Sequence, residues 1–488
     1  MITFKSFALL ILLIFTNNLY AQGWFALNSG TGNTLTEIYF VDENTGWISG
    51  SSGLILKSTN GGINWSTQTS NTFQTLWALF FIDENVGWVI GDGGLIKKTT
   101  DGGIIWTDQT SGIGSSLWYV HFINSSTGWI SCSGGSILRT TNGGANWFQQ
   151  SSGTGNVLYS IYFTNAQTGW ATGDGGVIRN TTNGGTNWTA QSSGTGLLLH
   201  CVNFANISTG WITGFNGRIM NTTNAGINWS VQNTDVNVFI RSIDFGNVNK
   251  GFAAGDGGTI LATTNSGTNW SQQSSGTFSN FYSVCVLDPL NAWAVGENGT
   301  IRKTTTGGIT PKTLTLNSLL EGSYDPGTNT MVGDTLLIYL RNSSSPYVVV
   351  DSSKSTLSNS GTASFNFLNV QNGTDYFLVI KHRNSIETWS SAGVSFVFDT
   401  LSYDFTDSSS KAFGNNLRLK GTRWTIFSGD VNQDGIIDAT DTGLIDNDAF
   451  GFVSGYLVTD LNGDNFADAT DLGIAENNSY NFVSVVRP

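Results

Sequence analysis

Seven tryptophans stand 41 residues apart along this chain without a slip: Trp24, Trp65, Trp106, Trp147, Trp188, Trp229 and Trp270. A second aromatic ladder runs in phase with the first, at Trp47, Trp88, Trp129, Trp170, Trp211, Phe252 and Trp293. A fixed period of this size marks a supersecondary unit that cannot bury its apolar face alone and is stacked against copies of itself. In one unit, residues 75–83, 88–91, 94–99 and 106–110 are short runs rich in apolar, aromatic and β-branched residues, with Gly, Asn or Asp at the bends. Four strands per repeat and no helical periodicity predict the blade of a β-propeller.

The bend before each tryptophan of the first ladder has one composition. Ser58-Thr-Asn60-Gly-Gly62-Ile-Asn-Trp65 is followed by Thr99-Thr-Asp101-Gly-Gly103-Ile-Ile-Trp106, and Asn142, Asn183, Asn224 and Asn265 take the acidic position in later copies. A short side-chain oxygen there accepts backbone N–H groups and holds the turn, while glycine takes positive φ. The last copy, Thr304-Thr-Thr306-Gly-Gly308, runs into Pro311 with no tryptophan. The missing strand stands at the other end of the chain, where the segment from Trp24 matches that from Trp188. The N-terminal strand is therefore expected to complete the last blade and close a seven-bladed ring over residues 22–310, which removes exposed edge strands.

The ends of the chain carry different signals. Lys5, an apolar run from Phe7 to Phe15 and the small residue Ala21 read as a secretory signal peptide over 1–21, so the protein is expected to be secreted, extracellular or at the cell surface. No other segment is apolar and long enough to be a transmembrane span. Cys132, Cys201 and Cys285 are odd in number and fall in different repeats, and are expected to be buried apolar side chains rather than disulfides. Of the 34 acids, eleven lie from residue 425 onward, against one base, Arg487. A base-poor chain is a poor partner for nucleic acid, and its acidic tail asks for a cation.

Between the repeats and that tail, residues 313–424 lose the period. Short runs at 334–340, 347–350, 363–368, 376–380 and 394–398 predict an antiparallel, Ig-like β-sandwich. The polar cluster Lys381-His382-Arg383-Asn384 reads as a solvated hairpin end. In the tail, two copies of one loop stand 30 residues apart. The first offers Asp430, Asn432, Asp434, Ile436, Asp438 and Asp441; the second offers Asp460, Asn462, Asp464, Phe466, Asp468 and Asp471. Oxygens at positions 1, 3, 5 and 12, a backbone carbonyl at 7 and an often water-mediated contact at 9 are the EF-hand pattern for calcium, so two Ca2+ sites are expected. Position 6 must bend sharply, which suits Gly435 and Asn465.

Four resemblances follow. The Ser/Thr-x-Asp-x-Gly-x-x-Trp bend is similar to the Asp-box, and the whole unit resembles the repeats of the photosystem II assembly factor family (the Ycf48/Hcf136 type), which implies a chaperoning role on a newly made protein. The arginines of the repeats, Arg139, Arg179, Arg218, Arg241 and Arg302, are scattered and do not repeat the basic patch that this role implies. More loosely, the unit resembles the sialidases, but the Arg-Ile-Pro segment of that family is absent. The tail, with Asp at position 12 and a short helix expected after each loop, resembles a dockerin over 425–488, which implies a cohesin-like partner read by Ala439-Thr440 and Ala469-Thr470.

No catalytic constellation emerges. His121 and His200 lie in innermost strands without an acidic or Cys partner and read as channel wall. One patterned feature stands apart: Asp92, Asp174, Asp256 and Glu297 occupy equivalent positions between second and third strands, where Ser51, Ser133 and Phe215 stand in the other units. This partial acidic ring, on the face opposite the boxes, suits a cation or a basic partner. The expected function is a secreted, non-catalytic binding protein with a protein or glycan ligand on the propeller face. The alternatives are a carbohydrate-active propeller targeted to a polysaccharide-degrading assembly, and an assembly factor.

Overall fold

The computed structural model describes residues 23–488, and the signal peptide expected over 1–21 lies outside them. The chain divides into two compact units, Met1–Ile309 and Thr310–Pro488.

In the first unit the repeat becomes a four-stranded antiparallel sheet. Leu76–Phe81, Gly87–Gly91, Ile96–Thr99 and Thr107–Gln109 pair in chain order, and the described residues hold seven sheets of this kind. The last sheet is completed by the first strand of the chain, Phe25–Asn28, which pairs antiparallel with Thr300–Thr304. The second strand of every sheet is buried throughout, so side chains on both of its faces pack. In six of the seven its tryptophan lies flat on a phenylalanine of the following sheet; in the sixth, Phe252 meets Trp24 edge-on instead. Trp47 stacks on Phe81 at 3.6 Å, Trp129 on Phe163 at 3.5 Å and Trp211 on Phe245 at 3.6 Å between ring centroids. The same stack joins the last sheet to the first, Trp293 on Phe40 at 3.8 Å. An aromatic ring buries 150–250 Å², roughly, so this ladder sets the spacing of the sheets.

The bends behave as their composition predicts. Asn60 Oδ1 accepts the N–H of Asn64 and Asp101 Oδ1 that of Ile105, both at 2.9 Å, while the Ser58 and Thr99 hydroxyls accept from Gly62 and Gly103. Gly62 and Gly103 adopt φ of 88° and 97°. The indole N–H groups of the second ladder finish the bend of the next unit: Trp47 Nε1 donates to the Gly102 carbonyl at 3.0 Å. All three cysteines are free and buried.

The second unit holds two larger sheets around one core, beside two short two-stranded ones. Val349–Thr356, Thr335–Asn342, Asp375–His382 and Ser385–Trp389 form one, and Thr362–Phe367, Lys312–Asn317 and Thr400–Asp404 the other. The alternating strand Lys312–Asn317 buries Leu314 and Leu316 beside Ile338, Leu340 and Phe365. Its pairing with Thr400–Asp404 is parallel, which departs from the all-antiparallel expectation. Two helices, Ala439–Phe450 and Ala469–Tyr480, follow the two acidic loops. Each starts on a capping box, with Asp438 or Asp468 as the cap and Asp441 or Asp471 returning the bond.

The segment Lys381-His382-Arg383-Asn384 is not a solvated hairpin end. His382 and Asn384 are buried. His382 Nε2 and Arg383 Nε both meet Asp334 Oδ2, at 3.0 and 2.9 Å, and Asn384 Nδ2 donates to the Asp460 carbonyl. Polar side chains enter a core when each finds a partner there, and these find theirs at Asp334, just before the strand Thr335–Asn342, and in the second acidic loop.

Candidate functional site

The third strand of each repeat runs from one face of the first unit to the other. It ends at the box; it begins at the turn that carries the acidic ring. There the structure brings in a third ladder of period 41: Thr36, Trp77, Trp118, Tyr159, His200, Arg241 and Tyr282, each the second residue of an innermost strand. Each lies 15 residues before its member of the acidic ring, and five pairs are joined directly. Trp77 Nε1 donates to Asp92 Oδ1 at 2.8 Å, Trp118 Nε1 to Ser133 Oγ at 2.9 Å and Arg241 Nε to Asp256 Oδ1 at 2.7 Å. The Tyr159 and Tyr282 hydroxyls donate to Asp174 and Glu297, both at 3.4 Å.

These side chains surround a cavity of about 370 Å³. Its wall is an almost continuous run of aromatic rings: Trp77 to Trp118 at 4.8 Å, Trp118 to Tyr159 at 5.1 Å, Tyr159 to His200 at 5.3 Å and His200 to Phe239 at 5.2 Å. Phe215, which replaces an acid of the ring, stacks on Phe239. The Arg241 guanidinium lies 4.4 Å from the centre of Phe239 and 4.6 Å from that of Tyr282. A concave apolar surface with a few fixed polar groups is the ordinary form of a binding site.

A second cavity, about 270 Å³, shares Glu37, Tyr119, Cys201 and Ser242 with the first. Here Glu37 accepts a 2.6 Å bond from Ser283 Oγ, and Asp244 accepts from Asn203 Nδ2 and the Val286 N–H. Enclosure by the sheets pushes Glu37 up to about 8 and Asp244 up to about 6. The same enclosure lowers His121 and His200 to about 4; their ring nitrogens meet the Phe163 and Arg241 carbonyls. Both histidines therefore sit in the channel wall as neutral rings at pH 7.

In the second unit the two acidic loops fold alike. Asp441 accepts from the backbone N–H groups of Val431, Asn432 and Asp438, and Asp471 from those of Leu461, Asn462 and Asp468. Asn432 Nδ2 meets Asp434 Oδ2 and Asn462 Nδ2 meets Asp464 Oδ2. Gly435 and Asn465 bend with φ of 91° and 71°. Ile436 and Phe466, at position 7, are about half exposed, so only their carbonyls suit a ligand role. Among the described residues no three His, Cys, Asp or Glu side chains are gathered for a metal ion, so any cation here relies on Asn and carbonyl oxygens too. One atom argues for such a cation: Asp430 is 2% exposed, and its Oδ1 has no hydrogen-bond partner. The loops' oxygen set fits a hard cation.

The sequence matches the family described as photosynthesis system II assembly factor YCF48 over residues 16–111, 146–238 and 194–352, more than half of the chain. The chain belongs to this family. The solved structure of YCF48 bound to D1 peptide is similar at 22% identity and a TM-score of 0.52, over 58% of this chain and 95% of that one. YCF48 from Cyanidioschyzon merolae is similar at 20% identity and a TM-score of 0.51, over 58% and 98%. A streptogramin B lyase reaches a TM-score of 0.51 at 14% identity, over 58% and 98%, so the fold alone is what these structures share. No curated protein matches. The match ends at residue 352, and the acidic loops lie beyond it.

Proposed function

We propose that the protein is a non-catalytic assembly factor of the YCF48 type, which holds a segment of another protein in the mouth of a closed seven-bladed propeller. The observation that carries this reading is the third ladder: a duplicated unit has placed five large polar or aromatic side chains (Trp77, Trp118, Tyr159, Arg241 and Tyr282) on fixed partners around one cavity. A YCF48 with a bound D1 peptide has the same fold, which supports a peptide as occupant. Neutral histidines bonded to carbonyls, and thiols pushed up by burial, support a binding rather than a catalytic role.

The remaining parts extend this reading. A signal peptide over 1–21 exports the chain, and the two sheets of the second unit form a β-sandwich. The loops beside them hold two calcium ions through Asp430, Asn432, Asp434 and Asp441 and their counterparts Asp460, Asn462, Asp464 and Asp471. The calcium fixes the loops; docking to a cohesin-like protein is a further step that the sequence resemblance alone suggests.

The test is display of a random peptide library against the protein from Gln22 onward, beside a glycan array. Enrichment of peptides, lost in a Trp77→Ala/Trp118→Ala variant that still folds, is the expected result. Retention of glycans with no peptide enrichment would overturn the reading in favour of a carbohydrate ligand.

A further inference from the structure

The mouth has a polarity and an opening, and both come from the members of the ladders that break the pattern. The turns at this end carry the carboxylates Asp92, Asp174, Asp256 and Glu297. Among the side chains that line the cavity the one guanidinium is that of Arg241, which is already committed to Asp256 at 2.7 Å. Arg179 and Arg302 stand at the same end but donate to the Gly153, Ser275 and Gly276 carbonyls of the loops. The neighbouring His200 adds no positive charge at pH 7, because burial lowers it to about 4. The carboxylates also act through the rings. An indole N–H or phenol O–H donating to a carboxylate, as in Trp77–Asp92, Tyr159–Asp174 and Tyr282–Glu297, leaves the ring face richer in electrons. Electron-rich faces attract cations. The site displays that chemistry on itself, since Arg241 lies over Phe239 and Tyr282.

The opening is over the first sheet. There the inner ladder has Thr36, the acidic ring has Ser51 and the loop position before the innermost strand has Gly32. In the two sheets that pack on either side, that loop position carries Phe73 and Phe278, each 93% exposed. Other members of this fourth ladder are Gly114, Gly155, Gly196 and Asn237. Two large exposed phenylalanines therefore stand on either side of the lowest part of the wall, an arrangement with nothing to gain from water.

We propose that the mouth takes an extended segment of a partner protein that bears lysine or arginine, with the cation over the Trp77–Trp118–Tyr159 wall and the backbone leaving across the first sheet between Phe73 and Phe278. This rests on the reading of the mouth as a peptide site and adds its sign and direction.

Three labelled peptides test it by fluorescence anisotropy with the protein from Gln22 onward: alternating Lys-Gly, Glu-Gly and Ser-Gly octamers with blocked ends. The lysine peptide is expected to bind in a salt-sensitive way and the other two to bind much more weakly. Trp77→Ala/Trp118→Ala is expected to weaken it about tenfold, from the loss of two ring faces. Phe73→Ser/Phe278→Ser should weaken it several-fold, about as an exposed apolar contact allows. Arg241→Ala should tighten it, because the variant removes the cavity's own guanidinium and frees Asp256. Phe73→Ser/Phe278→Ser replaces rings that are 93% exposed, so its folding is not at risk. Preferential binding of the glutamate peptide, lost in Arg241→Ala, would overturn the polarity and leave the peptide reading standing. Equal weak binding of all three, with peptides of other kinds enriched from the library, would overturn this inference alone. A library that enriches nothing would overturn both.

Discussion

The two ends of the third strand share a period, a backbone and a history of duplication, yet they differ in what duplication has preserved. At the box end the first residue is Ser58 or a threonine in all seven copies, and its hydroxyl accepts the N–H of the glycine four residues on. At the mouth end the ring reads Ser51, Asp92, Ser133, Asp174, Phe215, Asp256 and Glu297, and its partners in the innermost strands change with it. A position whose role is to close a turn has one solution, and every copy keeps it. A position facing a cavity is free to differ, and the differences make a site.

The comparison is broken most severely at the stacked ladder. Trp129 is fully buried, lies 3.5 Å from Phe163 and donates to the Gly184 carbonyl at 3.2 Å. Trp129→Ala should cost about 3–5 kcal/mol of stability, the range for emptying a large aromatic site. Thermal unfolding of the full chain checks this, and a loss below about 1 kcal/mol would contradict the role assigned to the ladder.

Acidity bears on the same end through Glu37, which lines both cavities. Glu37 titrates in the folded chain at about 8, well above an unfolded glutamate, because the sheets enclose it. A raised pKa means that the folded state keeps a proton the unfolded state releases. The stability this confers is full below about 4.5 and is lost as pH rises through about 8, with Asp244 adding the same sign as pH rises through about 6. Melting temperature should therefore fall between pH 5 and pH 8.5, and Glu37→Gln should flatten the slope. In the second unit the sign reverses. Burial opposes the charge of Asp334, but bonds from His382 and Tyr456 outweigh it and hold the carboxyl well below the usual range, so its contribution fades only in strong acid.

The acidic loops sharpen the rule by inverting it. Between the two copies, the residues that repeat are the oxygen donors, so here repetition itself marks the proposed site. Calcium at a hundredfold excess over its dissociation constant should stabilise the second unit by about 2.7 kcal/mol per site, and chelator should remove the effect. Asp430→Ala should abolish the share of the first loop. An unchanged transition in calcium and in chelator would dismiss the metal.

Much of this was legible in the sequence for a reason that also explains what was missed. Tryptophan is rare enough that seven at one interval announce a period, and the box bends, the strands and the N-terminal completion follow from it. The third ladder has the same period but no common residue, since Thr36, Trp77, His200 and Arg241 share only a position. Its signal was the fixed offset of 15 residues to the acidic ring, a pattern that gains meaning only when strand pairing shows the two positions at one mouth. In the second unit the cluster Lys381–Asn384 looked like surface because its residues are polar. Its partners, Asp334 and the Asp460 carbonyl, lie 48 and 76 residues from the bonded side chains, beyond the reach of local reading.

The smallest expected effect on stability is the most informative. Trp118 has the same side chain as Trp129 but a different setting: its ring is only partly buried, lines the cavity, touches Trp77 and Tyr159, and donates to Ser133 Oγ. Trp118→Ala should lower stability by about 1–2 kcal/mol, less than Trp129→Ala, since the ring lines a cavity rather than filling a packed core. The same substitution should weaken the lysine peptide several-fold, where Trp129→Ala, measured below its melting temperature, should leave the peptide's affinity nearly unchanged. A tryptophan that matters to a ligand and little to the fold, set beside one with the opposite profile in the same sheet, would establish that duplication built the scaffold at one ladder and left the other to recognition.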